Sequence, residues 1–168
     1  KYGDTALIWA VAKGHKDIIV ALLEKDPSQA HVNHANKAGN TALIWAAKKG
    51  SKEIVNALLA RDSRPEHVNH ANQSGSTALM WAAQNGHTEI VTALLAAPGV
   101  NYANQYGNTA LMWAADRGHT GVVQALLAAP GIDVNFANRF TPLIYAAQNG
   151  HTDIVRALLK VQDIAVNY

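Results

Sequence analysis

The 168-residue sequence contains no cysteine, and only 15% of its residues are charged. Without cysteine the chain can form neither a disulfide nor a thiolate-ligated zinc site, which fits a reducing compartment. No apolar run approaches the ~18 residues of a membrane span, and KYGDTAL at 1–7 has no signal-peptide character. The net charge of +2 comes without a basic cluster, so we do not expect nucleic acid or membrane partners. We therefore expect a soluble, cytoplasmic protein.

Aromatic residues are also scarce, at 7% of the chain, and they are confined to two kinds of segment. Five occupy the same position in a recurring phrase: Trp9, Trp45, Trp81, Trp113 and Tyr145. The other six lie in the segments between these phrases: Tyr2, Tyr102, Tyr106, Phe136, Phe140 and Tyr168.

The phrase TALMWAA at 77–83 is the clearest feature of the sequence. It returns as TALIWAV at 5–11, TALIWAA at 41–47, TALMWAA at 109–115 and TPLIYAA at 141–147. Successive copies begin 36, 36, 32 and 32 residues apart. Periods of this length indicate an array of stacked units, each of which buries its apolar face against its neighbours. The whole chain belongs to this array and forms one domain.

Each unit predicts two short helices. Thr77 is a candidate N-cap, and the small apolar stripe after it includes Leu79, Ala82 and Ala83. Gly86 suits the positive φ at which helices often end. A second helix is predicted over 87–95, where Glu89 lies in the first turn and complements the helix dipole.

The segments between helix pairs are predicted to project as loops or β-hairpin fingers. They are VNHANKAGN at 32–40, VNHANQSGS at 68–76, VNYANQYGN at 100–108 and VNFANRF at 134–140. Asn and Gly in the first three favour tight turns. The linkers before the first two fingers are four residues longer than AAPG at 96–99, and we expect these insertions to form loops.

The pattern N-x-x-G-N-T-A-L-x-W-A-A-x-x-G-H-x-x-I-V-x-x-L-L resembles the ankyrin repeat over the whole chain. The resemblance implies an all-α ankyrin-repeat solenoid: five helix-turn-helix units stacked side by side, with projecting β-hairpin or loop fingers. We place the repeats at about 1–31, 32–67, 68–99, 100–133 and 134–165, with the start of a sixth finger at 166–168. The His that follows Leu in the family's T-P-L-H motif is absent here, so its hydrogen bonds cannot be assigned. His15, His87, His119 and His151 resemble the family's structural His after the first helix.

Neither end of the chain shows a polar capping repeat, which arrays need to shield their terminal apolar faces. We expect either a piece of a longer array or an array whose capping repeats were left out. We expect a monomer, with end-to-end association through the terminal repeats as an alternative.

The sequence contains no arrangement that favours catalysis. No serine lies in a G-x-S-x-G context, and the carboxylates are either helix-start acids or scattered singly. The motif HVNH, at 31–34 and 67–70, suggests zinc, but residues three apart on an extended segment lie about 10 Å apart and face opposite sides. We therefore expect no enzyme activity, no cofactor and no metal.

The resemblance implies a concave binding groove formed by the first helices and the finger tips. Lys13 and Lys37 belong to this groove by position. The predicted partner-binding residues are Trp45, Lys48, Lys49, Gln73, Trp81, Gln84, Asn85, Gln105, Tyr106, Trp113, Asp116, Arg117, Arg139, Phe140, Tyr145, Gln148 and Asn149.

The sequence is compatible with three functions. The leading hypothesis is a non-enzymatic scaffold that binds another protein through this groove. The second is recognition of a small ligand or modified peptide by the aromatic column, through stacking or cation–π contacts. The third is a structural spacer within a larger protein. We expect the Trp residues to pack mainly between repeats while leaving an edge on the groove.

Overall fold

The computed structural model describes residues 2–99 and 101–166, which contain twelve helices and no strand. Ten of the helices form five pairs. The first helices of the pairs are α1 (Ala6–Lys13), α4 (Ala42–Lys49), α7 (Ala78–Gln84), α9 (Ala110–Arg117) and α11 (Pro142–Gln148). The second helices are α2 (Lys16–Lys25), α5 (Lys52–Leu59), α8 (Thr88–Leu94), α10 (Thr120–Leu127) and α12 (Thr152–Leu158). Two four-residue helices, α3 (Gln29–Val32) and α6 (Pro65–Val68), lie in the longer linkers.

A threonine begins every first helix, as the repeated phrase predicts. In α7 the Thr77 hydroxyl accepts a hydrogen bond from the Met80 backbone N–H at 3.4 Å, which satisfies a donor of the first turn. The same cap occurs at Thr5, Thr41, Thr109 and Thr141. The predicted positive φ at Gly86 is confirmed, at 76°.

The first helices pack side by side in chain order, and each second helix packs against its own first helix. Alanine makes this close stacking possible, since Ala82 and Ala83 are fully buried between neighbouring repeats. Ile90, Val91 and Leu94 form the buried side of α8. The predicted apolar stripes are therefore confirmed, and they join into one continuous core.

Histidines tie consecutive repeats together. Nε2 of His119 lies 3.0 Å from the carbonyl oxygen of Gln84, and Nε2 of His151 lies 3.0 Å from that of Asp116. Because a carbonyl oxygen can only accept, each imidazole donates to the end of the preceding first helix. These contacts bear out a structural role for the two histidines.

The fingers are turn loops, the first of the two predicted alternatives. Oδ1 of Asn72 accepts from the backbone N–H groups of Ser74 and Ser76, which closes the turn. Its Nδ2 donates to Oδ1 of Asn40 in the preceding finger at 2.9 Å. The Gln73 backbone N–H also donates to the Ala38 carbonyl at 3.0 Å. Each finger is thus attached to the one before it without a strand pair.

The longer linkers correct one prediction, because each contains a helical turn rather than only a loop. Ser28 caps α3 by accepting from the His31 backbone N–H at 3.3 Å. Pro65 begins α6, where its fixed φ suits the first helical position. The local cap and proline were present in the sequence, but such short helices also need the burial of Val32 and Val68 against the repeats.

The two ends of the stack expose apolar surface. Ile18 in α2 is 51% exposed, whereas its counterpart Ile54 in α5 is 4% exposed. At the other end, Leu159 is 48% exposed. The predicted start of a sixth finger at 166–168 lies outside the described residues except for Val166.

Candidate partner-binding surface

The first helices present their free side, together with the fingers, as one continuous surface, here called the A-face. The aromatic column runs along it. Trp45, Trp81, Trp113 and Tyr145 are partly buried and pack against the core. Trp9 differs, at 50% exposed, because no first helix precedes α1 among the described residues, whereas one precedes each of the other four. The expectation of packing with an exposed edge therefore holds for the other four.

Lys48 links two repeats through this column. Its Nζ lies 4.1 Å from the ring centroid of Trp81 and 5.4 Å from that of Trp45. An ammonium group at this distance is attracted to the negative face of an indole. Lys48 is thus held between two aromatic rings of consecutive repeats.

A cavity of about 470 Å³ opens beside Trp81, between the third and fourth repeats. Met80, Trp81 and Trp113 contribute apolar surface, while Gln84 and Tyr106 contribute polar groups. The remaining lining residues come mainly from the fingers: Ser74, Ser76, Asn104 and Asn108. The cavity therefore combines aromatic walls with amide and hydroxyl groups, a composition that suits binding sites.

The next gap along the A-face is smaller, at about 80 Å³, and shares Trp113 with the first. Asp116 and Tyr145 also line it. The Asn149 side chain donates to Oδ1 of Asp116 at 3.1 Å and to the Tyr145 carbonyl at 2.9 Å. Arg117 lies 3.4 Å from the same Asp116 carboxylate. Four predicted site residues are therefore connected here by direct contacts.

The finger tips are less free than the sequence suggests. Nε2 of Gln73 donates to the Lys37 carbonyl at 2.7 Å, and Nε2 of Gln105 donates to the Gln73 carbonyl. At the last finger, Phe140 contacts the Tyr145 ring edge to face, with centroids 5.6 Å apart, and Arg139 lies over Phe140. Among the described finger residues, Tyr106 is the most exposed aromatic, at 71%.

The remaining predicted residues lie on the A-face without joining these contacts. Lys49 and Gln148 are exposed near the ends of their first helices. Asn85 is also exposed, and its amide donates to the Trp81 carbonyl at 2.8 Å.

Met80 and Met112 are lining residues that the sequence analysis did not select. Each is almost fully buried at the floor of a cavity, directly before a Trp. The sequence could have indicated both residues, because each occupies the position of the His in the family's T-P-L-H motif, where this chain departs from that motif.

The described residues contain no group of three His, Asp or Glu side chains that could hold a metal ion. Within the same part of the chain, no helix is long and apolar enough to cross a membrane.

The side-by-side helix pairs and linked fingers define a repeat solenoid. The family model for ankyrin repeats matches three times, at residues 1–69, 64–138 and 104–168. The chain belongs to the ankyrin-repeat family. Ankyrin repeats generally mediate protein–protein interactions and typically act as non-enzymatic scaffolds. A comparison with curated proteins found no match.

Proposed function

We propose that this protein is a non-enzymatic interaction module that binds a partner protein through the A-face. The observation that carries the proposal is the row of partly exposed aromatic side chains with a cavity of about 470 Å³ between Trp81 and Trp113. Binding energy at protein interfaces concentrates on a few aromatic and arginine side chains in desolvated pockets. The repeats supply such anchors at regular intervals.

The polar groups beside the aromatics suit a peptide chain. Gln84, at the cavity, offers both an N–H donor and a carbonyl acceptor, as a backbone amide does. Asn85 is the next residue, and Gln148 occupies the position of Gln84 two repeats further on; both are exposed amides. A partner segment lying across the repeats would find an aromatic surface and amide partners together.

Site-specific photo-crosslinking tests the proposal. A photoreactive residue is placed at Asn85 or Gln148 on the A-face, and at Thr92 or Gln124, exposed on the second helices, as matched controls. We expect the two A-face positions to crosslink a discrete partner from the source cells and the two controls not to. Equal crosslinking from both sides would contradict the assignment.

A competition experiment sharpens this test. Excess unlabelled protein should suppress the A-face crosslinks, whereas the triple variant Trp81→Ala, Tyr106→Ala, Arg117→Ala should not. Circular dichroism must show that the variant stays folded. If the folded variant competes as well as the unmodified protein, the A-face does not bind the partner.

Recognition of a small ligand or modified peptide is the second candidate, favoured by the cavity volume, which lies within the range of ligand pockets. Lys48 already covers Trp81 at 4.1 Å, so a cationic ligand must displace it. Trp fluorescence is titrated with a trimethyllysine peptide and with nucleotides. This candidate predicts a saturable signal that strengthens in Lys48→Met for the cationic peptide. An unchanged spectrum at millimolar ligand would eliminate it.

A further inference from the structure

We infer that the partner segment bound across the first two repeats is an acidic peptide, with its carboxylates facing Lys13, Lys48 and Lys49. This inference rests on the proposed function and adds the chemistry of the partner. An apolar side chain of the same segment would enter the neighbouring cavity beside Trp81.

The lysines of the first two repeats fall into two groups. On the second helices, Nζ of Lys16 lies 3.7 Å from the Glu53 carboxylate, and Nζ of Lys52 lies 2.7 Å from that of Glu89. These lysines are paired with an acid of the next repeat. Of the three lysines on the second helices of these repeats, only Lys25 has no acid partner among the described ion pairs.

The lysines of the A-face have no such partner. The ion pairs formed by the described residues include none with Lys13, Lys37, Lys48 or Lys49. Lys48 and Lys13 are directed over Trp rings instead, with Lys13 Nζ 5.8 Å from the Trp9 centroid. An ammonium group over a ring keeps its charge and can still donate hydrogen bonds to a carboxylate of a partner.

Two acids lie near this surface, and both accept hydrogen bonds from asparagine side chains. Asp4 accepts from the Asn36 side chain at 2.7 Å. Asp116 lies two repeats away and contacts Asn149 and Arg117. The four lysines of the A-face outnumber the carboxylate of Asp4, so the first two repeats carry a net positive charge on the A-face that a partner can neutralise.

The repeat spacing limits where the acids of the partner can lie. Neighbouring helices pack about 8 to 10 Å apart, so lysines of consecutive repeats are separated by roughly that distance. An extended chain advances about 3.3 Å per residue, and polyproline II about 3.1 Å. Side chains on one side recur every two residues in a strand and every three in polyproline II. We therefore expect two acids separated by two or three positions.

A peptide fits this surface better than a nucleic acid. Phosphate backbones are bound by extended basic stripes, but here the lysines of the A-face stop after the second repeat, and the later cations Arg117 and Arg139 stand singly, Arg117 at 3.4 Å from the Asp116 carboxylate. Beyond it the A-face offers the amides of Gln84 and Asn85 and a cavity with aromatic walls. Those groups match the backbone and an apolar side chain of a peptide.

Selection from a phage-displayed library of random peptides tests the inference on the whole chain. The enriched peptides are synthesised, and their affinities are measured by fluorescence anisotropy. The test variant is Lys48→Gln, Lys49→Gln, and the control is Lys16→Gln, Lys52→Gln, which removes the same charge from the other side. We expect enrichment of Asp and Glu pairs at the stated spacing. Binding should weaken about tenfold in the test variant and less than twofold in the control.

Three results would overturn the inference: no enriched peptide, enrichment without excess acid, or equal losses in the two charge variants. If peptides without excess acid still lose affinity in the Trp81, Tyr106, Arg117 triple variant, the inference fails but the proposed function stands. If neither that variant nor the lysine variant weakens binding, both fail. Tighter, Lys48-dependent binding of a duplex DNA oligonucleotide would instead assign the lysines to nucleic acid.

Discussion

The longer and shorter linkers of this protein bind the asparagine of the preceding finger through different groups. After α5, the long linker carries Asp62, whose carboxylate accepts from the Asn33 side chain of the preceding finger at 2.6 Å. Asn69 and Asn101 occupy the position of Asn33 in later fingers. Their side chains donate to the backbone carbonyls of Pro98 and Gly131, which lie in the linkers after α8 and α10. The same finger asparagine is therefore anchored by a side chain in one region and by the backbone in the other.

This difference changes how the two regions respond to pH and mutation. The Asp62 side chain is 1% exposed and also accepts from the Arg64 guanidinium at 2.7 Å. Its bonds to Arg64 and Asn33 hold its pKa well below the usual range. Beside it, burial lowers the pKa of His67, and neither ring nitrogen has a hydrogen-bond partner among the described residues. The linker after α5 thus contains two buried titratable groups, Asp62 and His67, and in the short linkers a backbone carbonyl takes the place of the Asp62 carboxylate.

Removing the buried carboxylate should have the largest effect. We expect Asp62→Ala to lower the free energy of unfolding by about 2 to 3 kcal/mol, because the Asn33 amide and the Arg64 backbone N–H lose their acceptor. Urea unfolding followed by circular dichroism measures this loss. The control is Asp133→Ala in a short linker, where the side chain is exposed and the expected loss is below about 1 kcal/mol. Equal losses would show that the two regions are equivalent.

Acidification should have the second largest effect on stability, through His67 in the same linker as Asp62. The unfolded chain binds a proton on His67 near pH ~6.5, but the folded protein resists this because burial lowers the pKa. Stability is therefore lost as the pH falls from about 7 to 5, by at most about 1.4 kcal/mol per pH unit for one proton. His67→Leu should remove this part of the slope. NMR titration should place the pKa of His67 below its ordinary value, and an ordinary value would refute the explanation.

Exchanging the linkers should have a smaller effect than the single substitution. Residues 61–67 are replaced by the Ala-Pro-Gly of 97–99, which supplies a backbone carbonyl where Asp62 stood. We expect the fold to survive and the free energy of unfolding to stay within about 1 kcal/mol of the original, since loop length alone changes stability little. The same urea measurement applies. If the exchange destabilises as much as Asp62→Ala, the carbonyl does not substitute for the carboxylate.

Removing the other acid beside Arg64 should have the smallest effect. Glu66 lies 3.2 Å from the guanidinium, but the two side chains are 66% and 50% exposed. Exposed pairs contribute little because water and salt screen them. We expect no resolvable shift in the urea midpoint for Glu66→Gln. A shift comparable to that of Asp62→Ala would mean that burial does not distinguish the two carboxylates.

Much of the architecture could be predicted because it depends on local chemistry. Thr77 begins its helix through a bond three residues away, and Gly86 has the positive φ that its lack of a side chain permits. Glu89 was correctly placed in the first turn of α8, but its pairing with Lys52 lies between repeats and was not predicted.

The candidate site could be predicted only in outline. The repeated Trp position indicated an aromatic column, and the resemblance to the ankyrin family indicated which side would carry it. The cavity beside Trp81 depends on the gap that two stacked repeats leave, which has no signature within one repeat. The amides of Gln73 and Gln105 were predicted as partner contacts, but both donate to the preceding finger.

The sequence by itself determined the five units, their helix starts and ends and their apolar stripes, because these follow from hydrogen bonds and burial patterns within a few residues. Only the tertiary structure decided which charges remain without a partner. Lys48 and Lys52 are four residues apart in the chain, yet stacking brings one over an indole and the other against a carboxylate of the next repeat. That difference arises because each contact needs two repeats, and their distance is set by packing.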